Sequence, residues 1–288
     1  ELKLVRRSID ARKKPDVKLI YTVDVRVEGS ENKILKQARC KRASIAPAVR
    51  YRPPKPTAAP EKRPVVVGFG PAGMFAGLYL ARAGARPIIF ERGAKVEERT
   101  AAVENYWKGG VLNEKANVQF GEGGAGTFSD GKLTTRINDP RCDFIIEELQ
   151  KHGAPSEILS KAKPHIGTDM LREVVKNIRE EIISLDGEVR FLTKVDDIGI
   201  KNGKIVSVSA EGIEIPAENV IIAAGHSARD TFTMLKEKGV KRFGLHTMVA
   251  SNELDPQYII DTATLLFDLV VDLSRDLGIT FEFIIIGG

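Results

Sequence analysis

The sequence predicts an α/β protein built on a buried parallel sheet. A β-meander precedes the sheet's last strand, a small α+β module lies ahead of it, and one further βαβ unit follows it. Three stretches carry that prediction. Pro64 to Gly93 reads as a β-branched strand (Val65 to Val67), a glycine turn, a helix, a second strand (Ile88 to Phe90) and an acid, Glu91. Val195 to Ile215 alternates in polarity on either side of Asn202-Gly203, the dipeptide of a tight hairpin. Val220 to Gly225 is another apolar run, and it ends in small residues.

The first stretch sets the chemistry. Val65 to Val67 is too short for a helix and suits a strand buried on both faces. Gly68 allows the tight exit from that strand, Gly70 lets a pyrophosphate approach the backbone, and Gly73 lets the next helix pack closely. Pro71 occupies a first-turn position that tolerates proline, and Ala72 adds no bulk beside it, so the helix's free N–H groups and positive dipole end face phosphate. The helix turns Met74, Gly77, Leu78 and Ala81 inward and stops near Gly84. Glu91 follows Gly73 by 18 residues, where a carboxylate at an exposed strand end accepts hydrogen bonds from the adenosine ribose and repels a 2′-phosphate. A glycine turn alone is weak evidence. Here strand, turn, helix, second strand and acid all occur at the required spacing, which points to a dinucleotide site rather than to glycines that serve packing only.

At 288 residues the chain is long enough for about two domains, and 42% apolar with 29% charged residues is a globular composition. No uncharged apolar run approaches the length of a membrane span and no signal-peptide pattern occurs, so a cytoplasmic protein without membrane contact is expected. Cys40 and Cys142 belong to no CxxC, which argues against a disulfide framework or a metal site. Residues 1–63 carry 18 Lys+Arg against 7 Asp+Glu; the rest carries 26 against 32, so the basic character belongs to the N-terminal piece. Only Tyr21 and Tyr51 are available there to stack bases and no RNA-binding signature appears, so a solvated basic face is expected rather than a nucleic-acid partner.

In chain order, residues 1–45 form the small basic module, with a half-buried strand at Tyr21 to Glu28 that turns Tyr21, Val23, Val25 and Val27 to one side. Residues 46–63 hold five prolines and read as a semi-extended linker. The main domain then spans residues 64–240. Lys95 to Trp107 is a helix with Val96, Val103 and Trp107 inward. Gly121 to Gly131 holds five glycines in eleven residues (121, 123, 124, 126 and 131), and its amides at Gly123, Gly124 and Gly126 can approach a flat cofactor or a phosphate closely. Thr127, Ser129 and Lys132 are its candidate donors, and a plain surface loop is the alternative. Asp139-Pro140 opens a helix that ends near Gly153; another starts after His165, capped by Thr168 or Asp169, with Leu171, Val174, Val175, Ile178, Ile182 and Leu185 on one face. His165 is either a site residue or structural. Ala224 and Gly225 close the Val220 strand with residues small enough for a cofactor to lie against it.

Taken together, Gly68, Gly70, Gly73 and Glu91, the meander and the Ala-Ala-Gly strand end resemble the flavoproteins with two dinucleotide-binding folds. The stretches Gly-Glu-Gly-Gly-Ala-Gly-Thr-Phe-Ser-Asp-Gly-Lys-Leu, Pro-His-Ile-Gly-Thr-Asp and Gly-His-Ser-Ala-Arg-Asp are similar to the bacterial FAD-dependent dehydrogenases across residues 1–240. The resemblance implies a Rossmann-like FAD-binding fold, with Gly68 to Gly73 at the pyrophosphate, Glu91 and the neighbouring Arg92 at the ribose, and the Gly123 to Lys132 loop towards the flavin. It implies an oxidoreductase that transfers hydride through FAD, with NAD(P)H as an electron partner; it names neither substrate nor catalytic residue. A simple nicotinamide enzyme would lack the meander, and a fused remnant without turnover is the alternative. Residues 241–288 instead resemble a fragment of diaminopimelate decarboxylase, a pyridoxal-phosphate enzyme on a TIM barrel, with His246 at the cofactor face and Gly287-Gly288 opening its phosphate loop. One βαβ unit cannot close a barrel, so that activity is not expected. Both ends of the chain read as cut, and the two resemblances as a fusion with its seam near Leu235 to Lys241.

Overall fold

A computed structural model describes residues 1–46, 51–56, 58–129, 131–133, 139–225, 227–239, 242–248, 256–278 and 280–287. The predicted α/β architecture is observed. Strands β1 (Leu2–Asp10) and β2 (Lys18–Val25) form an antiparallel hairpin, followed by helix α1 (Glu31–Ala38). Then come β3 (Val65–Val67), α2 (Pro71–Arg82), β4 (Ile88–Phe90), α3 (Val96–Trp107), α4 (Pro140–Lys151), α5 (Thr168–Ser184) and β5 (Glu188–Arg190). The meander is β6 (Val195–Lys201), β7 (Lys204–Ala210) and β8 (Ile213–Pro216), and it leads to β9 (Val220–Ile222) and α6 (Arg229–Glu237). The final unit is β10 (Arg242–Met248), α7 (Pro256–Leu277) and β11 (Thr280–Gly287).

The central sheet has the order β5-β4-β3-β9 and is parallel throughout. Because successive side chains on a strand point to opposite faces, the short apolar runs feed two cores at once. Val66 and Ile89 pack with Met74 and Leu78 of α2 and with Val174, Ile178 and Ile182 of α5. Val65, Val67, Ile88 and Phe90 pack on the other side against Val195, Val208 and Ala210 of the meander. The domain is therefore layered as helices, parallel sheet and meander. At its hairpin Asn202 and Gly203 both adopt positive φ (52° and 72°), as a type I′ turn requires.

Several expectations are corrected. Strand β2 is exposed along its whole length rather than half-buried, with Tyr21 53% and Val25 55% exposed, because among the described residues its hairpin partner β1 supplies hydrogen bonds but no covering layer. Trp107 is 63% exposed at the end of α3, and the residue that joins Val96 and Val103 on the buried face is Arg99. Helix α5 is preceded by Gly167 and gains no side-chain cap; the Thr168 hydroxyl instead donates to the Ser129 carbonyl at 2.8 Å. The described residues of the proline-rich segment have no regular structure but are strapped down. The Tyr79 hydroxyl donates to Pro54 O at 2.6 Å, Tyr51 meets Phe144 edge-on, and the Arg63 guanidinium donates to the Arg86 and Pro87 carbonyls. The basic hairpin is tied to the same body, since Arg7 N donates to Ser160 O and Ala162 N to Arg7 O. No described helix is long and apolar enough to cross a membrane.

Candidate functional site

The site forms where β3 ends. Gly68 leaves the strand at φ 100°, with its amide donating to Phe90 O at 2.7 Å, and a β-carbon there would run into the Ala223 carbonyl. The small residues after β9 are thus pressed against the turn: Ala223 N donates to Val67 O at 2.7 Å, and Ala224 and Gly225 follow at the same edge. Gly73 packs so tightly that a β-carbon would collide with the Gly68 carbonyl oxygen. Gly70 is different. It is the N-cap of α2, has no side-chain cap, and a β-carbon there would meet nothing within 4 Å. Open space in front of the uncapped amides of a 12-residue helix, with Pro71 and Ala72 in its first turn, is the cradle a pyrophosphate requires.

Glu91 lies next to this turn but not as the sequence suggests. It is buried, and its carboxylate is engaged by the backbone: Phe69 N donates to Oε2 at 2.8 Å and Gly93 N to Oε1 at 2.7 Å. The acid therefore fixes the shape of the glycine turn from behind. Its second lone pairs remain for a ribose. Arg92 points the other way, exposed, and its Nη1 donates to Asp230 at the start of α6 at 3.1 Å.

The glycine-rich loop reaches the same place across the 54 residues that separate Gly123 from Phe69. Gly123 N donates to Phe69 O at 2.8 Å, and Gly124 packs on Gly70 and Pro71. The plain surface-loop alternative is thereby corrected. So is the expectation of free donors: the buried Thr127 hydroxyl donates to Glu122 O at 3.2 Å, and the Ser129 hydroxyl donates to Gly126 O at 2.7 Å, both within the loop. Lys132 has an exposed side chain and its backbone pairs with His165, which is itself exposed. Asp130, His226 and Gly288 lie outside the described residues, as does the side chain of His246.

Sequence reasoning missed the charged residues that hold the loop. Arg99, 0% exposed, donates from Nε to Asn117 O (2.7 Å), from Nη1 to Glu122 O (2.6 Å) and from Nη2 to Val118 O (3.0 Å). Burial pulls its pKa down to about 10, which leaves it a cation at neutral pH. Glu122, also 0% exposed, accepts from Val96 N (2.7 Å) and from Arg179 (2.8 Å) through Oε2, while Oε1 has no partner. Burial pushes its carboxyl up to about 7. Glu97 is held down at about 2 by the hydrogen bond from the Arg179 guanidinium. The available signal was positional: Arg99 falls three residues after Val96 and four before Val103, on an otherwise apolar helix face.

Comparison with known proteins agrees with this geometry. Residues 62–260 match the pyridine nucleotide-disulphide oxidoreductase family, and residues 1–26 match a domain of unknown function. A protein of Clostridium beijerinckii is 51% identical over 240 residues, which is 83% of this chain and 45% of that protein. Thiamine thiazole synthase of Pyrococcus furiosus is 24% identical over 183 residues, 59% of this chain and 60% of that enzyme. The chain thus spans about half the length of these relatives. Among solved structures, Thermovibrio ammonificans THI4 aligns with a TM-score of 0.45 at 18% identity, covering 65% of this chain and 68% of that one. Glycine oxidase from Geobacillus kaustophilus aligns at 0.39 and 15%, covering 60% and 58%. With a parallel sheet, a glycine turn opening on a helix N-terminus and a family match over residues 62–260, the chain belongs to the pyridine nucleotide-disulphide oxidoreductase family.

Proposed function

We propose that this chain is the FAD-binding part of an oxidoreductase that passes hydride between a small-molecule substrate and NAD(P)H. The observation that carries this reading is the convergence of two distant glycine stretches, Gly68 to Gly73 and Gly123 to Gly124, on the open N-terminus of α2. Bound FAD would supply the two-electron chemistry, and the protein supplies position and electrostatics. In this reading the amides around Gly70, Pro71 and Ala72 receive the pyrophosphate, and Glu91 offers its remaining lone pairs to the adenosine ribose. The Gly123 to Gly126 segment, with Ala224 and Gly225 opposite, borders the path towards the isoalloxazine. Cys40 and Cys142 are both free thiols. NAD(P)H enters the proposal through the pyridine nucleotide that the family's description names.

The visible spectrum of the purified chain, before and after denaturation, tests this. A flavin band that is released on unfolding, or regained on titration with FAD, is the expected result. A colourless protein that takes up no FAD would overturn it, and FAD binding without any hydride transfer would restrict the chain to a binding part.

A further inference from the structure

We infer that Arg99 is a positioning residue that assembles the glycine loop against the α2 N-terminus before any cofactor arrives. The inference rests on the FAD reading for its consequence, but its structural half stands alone. A loop rich in glycine pays a large ordering entropy, and something must hold it if it is to present a fixed surface. Arg99 is suited to that task. Its planar fork sends hydrogen bonds in three directions, to the carbonyls of Asn117, Val118 and Glu122, and so closes the segment 117–122 into one shape. Its guanidinium also lies 4.8 Å from the centre of the Phe128 ring, at the far end of the loop's helical turn.

The rest of the loop follows from that anchor. Gly121 passes directly beside the Arg99 stem, where a β-carbon would lie 2.8 Å from Cδ. Glu122 N then donates to Ala94 O at 3.1 Å, and the next amide, Gly123, reaches Phe69 O in the turn that faces the dinucleotide. The chain of contacts therefore runs from Arg99 through Glu122 and Gly123 to the glycine turn itself. The charge is compensated at a distance by Glu91 and Glu122 rather than by a direct carboxylate bond, so the three hydrogen bonds from Nε, Nη1 and Nη2 of Arg99 all go to loop backbone. A lysine keeps the charge but gathers its donors on one nitrogen, which does not span the three carbonyls that the planar fork reaches.

Two measurements test this. Amide hydrogen exchange on the FAD-free native chain should show protected amides at Glu122 and Gly123; free exchange there, with protection only after FAD is added, would overturn the inference. Arg99→Ala and Arg99→Lys should bind FAD about tenfold or more weaker than the native chain, with the flavin band losing its fine structure, and added guanidinium should restore the alanine variant. A folded alanine variant with native FAD affinity would also overturn it. Where neither variant folds by circular dichroism, the exchange experiment on the native chain decides. A native chain that binds no FAD would remove the proposed function, while the exchange result would still decide whether the loop is preformed.

Discussion

Gly70 and Glu91 make different demands on the same turn. Gly70 has extended backbone angles (φ −74°, ψ −174°) that valine also adopts, and no neighbour within 4 Å of a β-carbon. Gly70→Val is expected to fold with an unchanged urea midpoint yet lose FAD, because the branched side chain fills the space proposed for the pyrophosphate. Retained flavin at native stoichiometry would move the cofactor off this turn. Glu91→Ala should instead lower stability itself, by about 1–3 kcal/mol, since the buried amides of Phe69 and Gly93 lose their acceptor. An unchanged urea midpoint for this variant would show that those amides find other partners. Glu122 adds a pH signature. Arg179 and Glu97 face it from α5 and α3, with Glu91 and Arg99 close by, and burial outweighs the cations, raising its pKa from 4.5 to about 7. A group with a raised native pKa stabilises fully below its unfolded value, and that contribution is lost as the pH rises through the folded one. The stability of the native chain relative to Glu122→Gln should therefore fall between pH 4.5 and about 7. Parallel stability curves for the two proteins across that window would refute it.

Helix α2 owes its position to two glycines with different neighbours. A β-carbon at Gly73 meets the backbone oxygen of Gly68, which cannot move without opening the turn; one at Gly77 meets Cδ1 of Ile89, the far end of a flexible side chain. Gly73→Ala should destabilise by about 1–3 kcal/mol and weaken FAD binding, whereas Gly77→Ala should cost less and leave affinity unchanged. Urea titration of both variants with and without FAD gives the comparison, and equal effects at the two positions would contradict it. The element boundaries around α2 follow the sequence closely, with Pro71 opening the helix and Gly84, at φ 74°, following its end. For α3 the pattern was harder to read. An arginine on a buried face looks like a break in the apolar stripe, and only the carbonyls that gather round it explain why it is inside.

The whole molecule is a layered α/β body with a hairpin and helix ahead of it in sequence and a βαβ unit, β10-α7-β11, after it. The substantial packing of α7, β10 and β11 is among themselves, and Leu265, Phe267 and Val271 are 68%, 56% and 54% exposed. A chain ending at Arg242 should therefore keep or improve both its soluble yield and its FAD affinity. Loss of both would show that the C-terminal unit has become part of the fold.

Residues close in sequence wrote the local elements unaided: the βαβ unit from Val65 to Phe90, the hairpin at Asn202-Gly203 and the strand that starts at Val220 all follow from periodicity and turn chemistry, although that strand stops at Ile222 rather than at Gly225. The glycine turn was legible for the same reason, since it lies within one 26-residue stretch. What the sequence left open depended on contacts between distant segments. Whether Glu91 met water or backbone amides, whether Thr127 and Ser129 turned outward, and why Arg99 and Glu122 are buried were all decided when Gly123 docked on Phe69. Burial of a charge is settled by the partners that tertiary packing delivers, and a one-dimensional pattern does not contain them.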